Sequence, residues 1–286
     1  ARYWPEFAAA GKGDVLVWHL MNHAAGLSGM NESLQGDELY DWERVTQLLA
    51  QQAPWWTPGS ASGYHALTQG YLIGEVVRRI TGQSLGQFFA EQIAMPLNAD
   101  FLIGVPDSEF HRIGNLIPPP DGAVLGQGAV TDSIPYRTFA SPRTSALDSH
   151  TDGWRRAEIP AANGHGNARA VAKIHSALAN DGRCGDVQLL SPEICRSVMQ
   201  TRIEGVDLVF GGPMAFGLGF GLHPVKADRR NLCFWGGWGG SRAIIDQDNA
   251  LSFAYVMNKM ADGLLGDVRG DQLSQATYLS LAAMRQ

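Results

Sequence analysis

The sequence predicts an α/β protein of the α+β type: an antiparallel sheet flanked by helices, joined to a mostly helical lobe. Two observations predict it. Helical apolar spacing dominates roughly the first 200 residues, and short alternating apolar runs dominate the last third, before a closing helix. A third sets the scale: 286 residues with 45% apolar content are enough to bury a continuous core without staples. Residues 1–286 therefore read as a single domain, with a helical lobe over about 14–200 and a sheet lobe over about 205–286.

The elements follow in order. "DVLVWHLMNHAAGLSG", residues 14–29, reads as a short helix with Asp14 as N-cap and Leu16, Leu20 and Met21 at helical spacing, ending in the turn Gly26–Gly29. A second helix spans 38–52 and is followed by the loop "PWWTPGSASG". A third spans 65–81: Leu67, Tyr71, Leu72, Val76 and Ile80 form one stripe, and Gly82 suits a left-handed C-terminal cap. "SLGQFFAEQIAMPL" is a fourth, with Ser84 as N-cap and Pro96 at its end. Residues 105–160 are rich in Pro, Gly and Ser with little periodicity, and read as a long functional loop. Helices resume at 167–181 and 192–200, the latter opened by Ser191-Pro192. "MAFGLGFGL" (214–222), "NLCFWGG", "SRAIID" and "ALSFAYVMN" (250–258) read as strands, the last two joined as a hairpin by "DQDN". "DQLSQATYLSLAAM" closes the chain as an amphipathic helix.

Composition excludes several function classes. A net charge of -6 with only 22 Lys and Arg argues against nucleic acid as a partner. No apolar run reaches membrane-spanning length. Three cysteines are too few for a disulfide framework and favour a reducing, cytoplasmic setting. His19 and His23 stand at metal-ligand spacing, but no glutamate lies between them and no third ligand is evident, so both read as structural. No metal or organic cofactor is expected. No signal peptide is visible at Ala1, and "ARYWPEFAAAGKG" reads like the interior of a longer protein.

Three stretches carry the chemistry: "HLMNHAAGLSG"; Tyr64 in "PGSASGYHALTQGYLIGEVVRRITG", followed by "MPLNADFLIG"; and "FWGGWGGSRAIIDQDNALSFAYVMN". From spacing alone, Tyr64 reads more readily as a core aromatic at a helix start than as a reactive phenol. The glycine pairs 236–237 and 239–240 read equally as a bulge or a tight strand crossing. Together and in this order, the three stretches resemble the serine β-lactamase-like and penicillin-binding-protein superfamily, most closely its family VIII carboxylesterases. The resemblance runs from Tyr3 to the last helix and implies the two-lobe β-lactamase-like fold, with the site in the cleft between lobes.

The resemblance implies a serine nucleophile and a lysine in Ser-x-x-Lys. It places Tyr64 as general base and acid, and Trp235, Gly236 and Gly237 as the glycine-rich motif beside the substrate. The N–H of Trp238 falls at an oxyanion-hole position, and His65 and Tyr136 are taken as substrate contacts. A free tyrosine has a pKa near 10; a neighbouring lysine ammonium would push it down towards phenolate. His23 and His165 match supporting, non-catalytic positions. Phe101, Tyr136 and Trp154 flank or lie in the long loop, as substrate contacts or as anchors.

Two departures matter. The tyrosine motif reads Tyr64-His65-Ala66, with Ala66 where the family has asparagine, which favours esters over lactams. No Ser-x-x-Lys is present: three residues before Lys12, Lys173, Lys226 and Lys259 stand Ala9, Ala170, His223 and Val256. Ser28 and Ser241 are weak substitutes, neither lying in Gly-x-Ser-x-Gly. The expectation is that the nucleophile and the opening strands of the sheet lie upstream of Ala1, and that the strands seen here present an edge suited to homo-oligomer formation. The expected function is serine-dependent hydrolysis of short-chain carboxylic esters through an acyl-enzyme. The alternatives are a β-lactamase or D-alanyl-D-alanine carboxypeptidase, and a non-catalytic fragment that binds a ligand or partner chain.

Overall fold

Local capping explains where most helices begin and end. A computed structural model describes residues 1–34, 36–119, 129–223 and 230–285. In it α1 (Val17–Met21) is shorter than the sequence predicts, and Leu16 rather than Asp14 holds the N-cap position. His19 Nδ1 accepts the Leu16 N–H at 3.1 Å, so an imidazole does the capping. The helix cannot continue through His23, which adopts a positive φ of 62°. α2 (Trp42–Gln51) follows a 3-10 turn, and its Asp41 cap accepts from the Arg44 N–H. α3 (Thr68–Thr81) starts three residues later than expected and ends at Gly82 with φ 76°. α4 (Leu85–Phe89) is capped by Ser84 and runs on into one π turn, Ala90–Ala94.

The segment 105–160 is not one loop. Beyond β1 (Phe101–Ile103) it holds 3-10 turns at Asp107–Arg112 and Ala146–His150, α5 (Ile134–Ala140) and α6 (Asp152–Arg156). Its serine and threonine richness is capping chemistry: Ser133, Ser145 and Thr151 each accept a first-turn N–H. Residues 120–128 of this segment lie outside the described residues.

β2 (Gly164–Gly166) returns antiparallel to β1. α7 (Ala168–Ala179), capped by Asn167, then leads through the small hairpin β3 (Arg183–Cys184) and β4 (Val187–Gln188) to α8 (Pro192–Val198), capped by Ser191.

Among the described residues six strands form the main sheet: β5 (Ile203–Val206), β6 (Pro213–Phe216), β7 (Gly221–Leu222), β8 (Leu232–Gly236), β9 (Arg242–Asp246) and β10 (Leu251–Tyr255). All are antiparallel to their neighbours in the order β10-β9-β8-β7-β6-β5. The run 214–222, predicted as one strand, folds back on itself, with Phe216 opposite Gly221 and the Gly217 N–H donating to the Phe220 carbonyl at 3.0 Å.

Among the described residues two apolar cores result. One gathers Trp4, Phe7, Leu27, Leu49, Tyr71, Leu72 and Ile159 in the helical lobe. The other gathers Ala179, Val198, Ala215, Leu222, Cys233 and Ile245. Because Ala179 and Val198 sit in the second core and α7 packs on β9 and β10, the helical lobe ends before α7 rather than near residue 200. α9 (Val268–Met284) is not simply amphipathic. Its inner side is tied to the sheet by Tyr278, whose hydroxyl donates to Asp246 at 2.8 Å. Leu273, Leu279 and Met284 instead point into solvent. Among the described residues, no helix is long and apolar enough to cross a membrane.

Candidate active site

Where the two lobes meet, a cleft of about 1130 Å³ opens, with Tyr64, Phe101, His165, Trp235 and Trp238 among its walls. Tyr64 does not start a helix. It lies on an extended stretch four residues before α3, pinned on both sides. Gly63 N–H donates to the His23 carbonyl at 2.9 Å, and His65 N–H to His23 Nδ1 at 3.1 Å. From the other lobe, Leu208 N–H donates to the Ser62 carbonyl at 2.9 Å, and Asp207 Oδ1 accepts the Tyr64 N–H at 3.2 Å. The ring is held between Phe210, stacked at 4.9 Å and 18°, and Trp235, whose ring centroid lies 5.4 Å away.

Trp235 comes from β8, where it pairs with Ala243. Beyond it the chain turns through 237–241. Gly237 N–H donates to the Ser241 carbonyl, Gly239 N–H to Gly263, and Gly240 N–H to Gly237. Gly239 and Gly240 have φ of 97° and 121°, conformations that side chains rarely adopt. The turn leaves the Trp238 N–H without a carbonyl partner among the described residues, on a residue that lines the cleft.

The Tyr64 phenol is not lowered towards phenolate. Burial, first of all, pushes its pKa up to about 12; a hydrogen bond from the Trp235 side chain offsets part of this, and the charge of Asp207 adds to it. The expected lowering required a lysine ammonium beside the ring, and the lysines described here are elsewhere. Lys12 is fully buried under α2, where its ammonium donates to the carbonyls of Ala9 and Gln52 and lies 5.2 Å over the Phe7 ring. Lys173 reaches the Asn98 carbonyl, the backbone of Lys259 bridges to Ile117, and Lys226 lies outside the described residues.

Two expected substrate contacts are corrected. His65 is fully buried behind the cleft wall. Its Nδ1–H donates to the Gly63 carbonyl at 2.6 Å and its Nε2 accepts the Leu27 N–H at 3.1 Å. Burial brings its pKa down to about 4, so it is a neutral, two-handed strut. Tyr136, on α5, is 39% exposed and is not among the residues lining the cleft. Its companions Phe101 and Trp154 do line it. Gly236 and Gly237 line it beside Trp235, and so do Ala66 and Ser241. Ser28 is buried, with its hydroxyl 2.7 Å from that of Thr138. Among the described residues, no group of three or more His, Cys, Asp and Glu is placed to hold a metal.

Sequence reasoning missed Asp207 and Phe210. The available signal was "DLVFGG", an Asp two residues before an apolar pair and a Gly-Gly, which is a side-chain-stabilised turn between strands.

Comparison with known proteins follows the same lines. The family described as Beta-lactamase matches residues 1–277. The esterase/beta-lactamase LipL of Mycobacterium tuberculosis (strain ATCC 25618 / H37Rv) is 33% identical over 275 residues, which cover 93% of this chain and 63% of LipL. The chain thus spans less than two thirds of that relative's length. A crystal structure of a family VIII carboxylesterase superposes with a TM-score of 0.89 at 40% identity, over 97% of this chain and 74% of the other. A penicillin-binding-protein homologue from Caulobacter crescentus gives 0.85 at 37% identity, over 98% and 75%. EstA from Arthrobacter nitroguajacolicus Rue61a gives 0.85 at 30% identity, over 100% and 77%.

Proposed function

This chain belongs to the Beta-lactamase family, and on that premise we propose that the protein carrying it is a serine hydrolase of short-chain carboxylic esters, working through an acyl-enzyme. One observation carries the reading: Tyr64 from one lobe and Trp238 from the other line a single cleft, and the Trp238 N–H has no backbone partner among the described residues. Ester cleavage needs both, a proton carrier near the reacting oxygens and a fixed donor where negative charge develops. Ala66 on the cleft wall offers no side-chain polar group to a substrate amide, which supports an ester over a lactam.

In the proposed mechanism a serine hydroxyl attacks the ester carbonyl. Its proton passes to Tyr64 and from Tyr64 to the departing alkoxide, and water then cleaves the acyl-serine. The Trp238 N–H donates to the tetrahedral oxyanion; losing one such donor typically costs ~3 kcal/mol of transition-state stabilisation. With a pKa near 12, Tyr64 is ready to donate a proton. To accept one it needs a cation at hand, the task of the lysine in Ser-x-x-Lys. These 286 residues contain no such motif, so the reading assigns serine and lysine to sequence outside them. The partners are small esters, and a homo-oligomer is proposed from the exposed apolar side chains of α9. The unpaired Cys184, Cys195 and Cys233 support a cytoplasmic location, which cell fractionation tests.

A fluorophosphonate probe and two chromogenic substrates test the proposal on the full-length protein. The expected results are covalent labelling and faster turnover of p-nitrophenyl butyrate than of a chromogenic cephalosporin. Faster cephalosporin turnover would favour the lactamase alternative. Absence of labelling and of both activities would leave a non-catalytic binding protein. Labelling of residues 1–286 alone would place the nucleophile within them.

A further inference from the structure

We propose that Asp207 is a positioning residue for Tyr64: its buried carboxylate ties the phenol-bearing segment of the helical lobe to the sheet lobe and so sets where the phenol stands in the cleft. Its part in the reaction rests on the proposed role of Tyr64; its hold on Tyr64 does not.

Asp207 follows β5 and is fully buried. One oxygen, Oδ1, accepts three backbone N–H groups: Val209 at 2.9 Å, Phe210 at 3.0 Å and Tyr64 at 3.2 Å. The first two close a local Asp turn of an ordinary kind. The third comes from 143 residues away in sequence. The turn also aims what it carries. Phe210 stacks on the Tyr64 ring at 4.9 Å, and the neighbouring Leu208 N–H binds the Ser62 carbonyl at 2.9 Å. The Asp207 N–H and C=O are themselves engaged with Gly212 and Gly211, so the carboxylate is held from behind. One side chain therefore holds both the backbone that carries the phenol and the Phe210 wall against which its ring stacks.

An asparagine would make the same turn without a charge. The charge itself is what calls for a function, because a buried carboxylate is costly unless its oxygens are satisfied. Here the second oxygen, Oδ2, has no hydrogen-bond partner among the described residues. Burial first of all keeps the proton on the phenol, and the charge acts in the same direction. The other titratable groups facing the ring are His23, 5.1 Å away from the end of α1, and the neighbouring His65. Burial, first of all, holds both below the ordinary histidine range, so they are neutral at pH 7. The charge that acts on Tyr64 is thus that of Asp207, while the two imidazoles beside it are neutral.

Three measurements test the proposal. Tyrosinate absorbance is titrated in the full-length protein and in Asp207→Asn, each against its own Tyr64→Phe partner. The amide keeps an oxygen for the three N–H groups and removes the charge, so Tyr64 should ionise at lower pH by about half a unit or more, the size expected of one charge acting through protein interior. Asp207→Ala removes the tie as well. It should lower kcat for p-nitrophenyl butyrate at least about tenfold with KM little changed, as misplacement of a proton carrier does. In the unmodified protein, the amides of Tyr64, Val209 and Phe210 should resist hydrogen exchange as one group. In a folded Asp207→Asn protein, an unmoved Tyr64 titration overturns the action of the charge on the phenol, and free exchange of the three amides in the unmodified protein overturns the tie itself. If the parent protein hydrolyses no ester, the proposed function fails, while the titration and exchange still decide the case for Asp207.

Discussion

His65 and Tyr64 are sequence neighbours, and burial moves their proton affinities in opposite directions. Burial disfavours whichever form is charged, so the imidazole stays neutral and the phenol stays protonated. For His65 the sign is fixed. Its folded pKa near 4 lies below the ordinary 6.5, so the unfolded chain binds the extra proton between those values. The stability it contributes is present above about pH 6.5 and is lost as pH falls towards 4, by about 3 kcal/mol for the full shift. His23, also lowered by burial, acts with the same sign. The melting temperature should therefore fall between pH 7 and pH 5. His65→Phe should lower it at pH 7, by leaving the Leu27 N–H and the Gly63 carbonyl unpaired, and should flatten the acid limb. An acid limb as steep in the variant as in the parent would contradict this. The sequence places His65 one residue after a functional tyrosine and so suggests a substrate contact. Which way its ring turns depends on a backbone N–H 38 residues earlier, and no local pattern carries that.

At the scale of elements, the end of β8 decides how closely a carbonyl can approach. A methyl group at Gly236 would land on the backbone of Leu265 and Gly266, which cannot rotate away. At Gly237 it would meet only the Ser241 hydroxyl, at 2.5 Å, and a serine side chain turns at little cost. Gly236→Ala should therefore destabilise by about 1–3 kcal/mol and displace the Trp238 N–H, whereas Gly237→Ala should melt close to the parent. Equal melting temperatures for the two would contradict the close packing of the 263–266 loop. Helices with a cap and a period in local sequence, such as α7 and α8, were legible almost to the residue. The start of α3 was not. Thr68 Oγ1 donates to the Leu27 carbonyl at 2.6 Å, a tertiary bond that sets the helix start beyond the apolar stripe's first member. The strand run 214–222 misled because its glycines, read as small strand residues, make a turn.

At the scale of the whole molecule, the fold class was legible from a mostly helical first part and a strand-rich last part, and the convergence of two distant motifs from the family resemblance. The division of helices between lobes was not, since α7 and α8 look alike from either side. The outer face of α9 leaves Leu273, Leu279 and Met284 in water, Met284 at 84% exposure. Exposed apolar side chains gathered on one helix suit contact with a second copy of the chain. Sedimentation should then show mass rising with concentration, reduced in Leu279→Glu; a monomer at every concentration would contradict it.

The account's central claim is that the phenol of Tyr64 moves the proton in ester cleavage. The direct measurement is the steady-state hydrolysis of p-nitrophenyl butyrate by the full-length protein and by Tyr64→Phe, with folding checked by circular dichroism. The predicted result is a fall in kcat of about 10²- to 10⁴-fold with KM little changed. A well-folded Tyr64→Phe protein turning over the ester at the parent rate would contradict it.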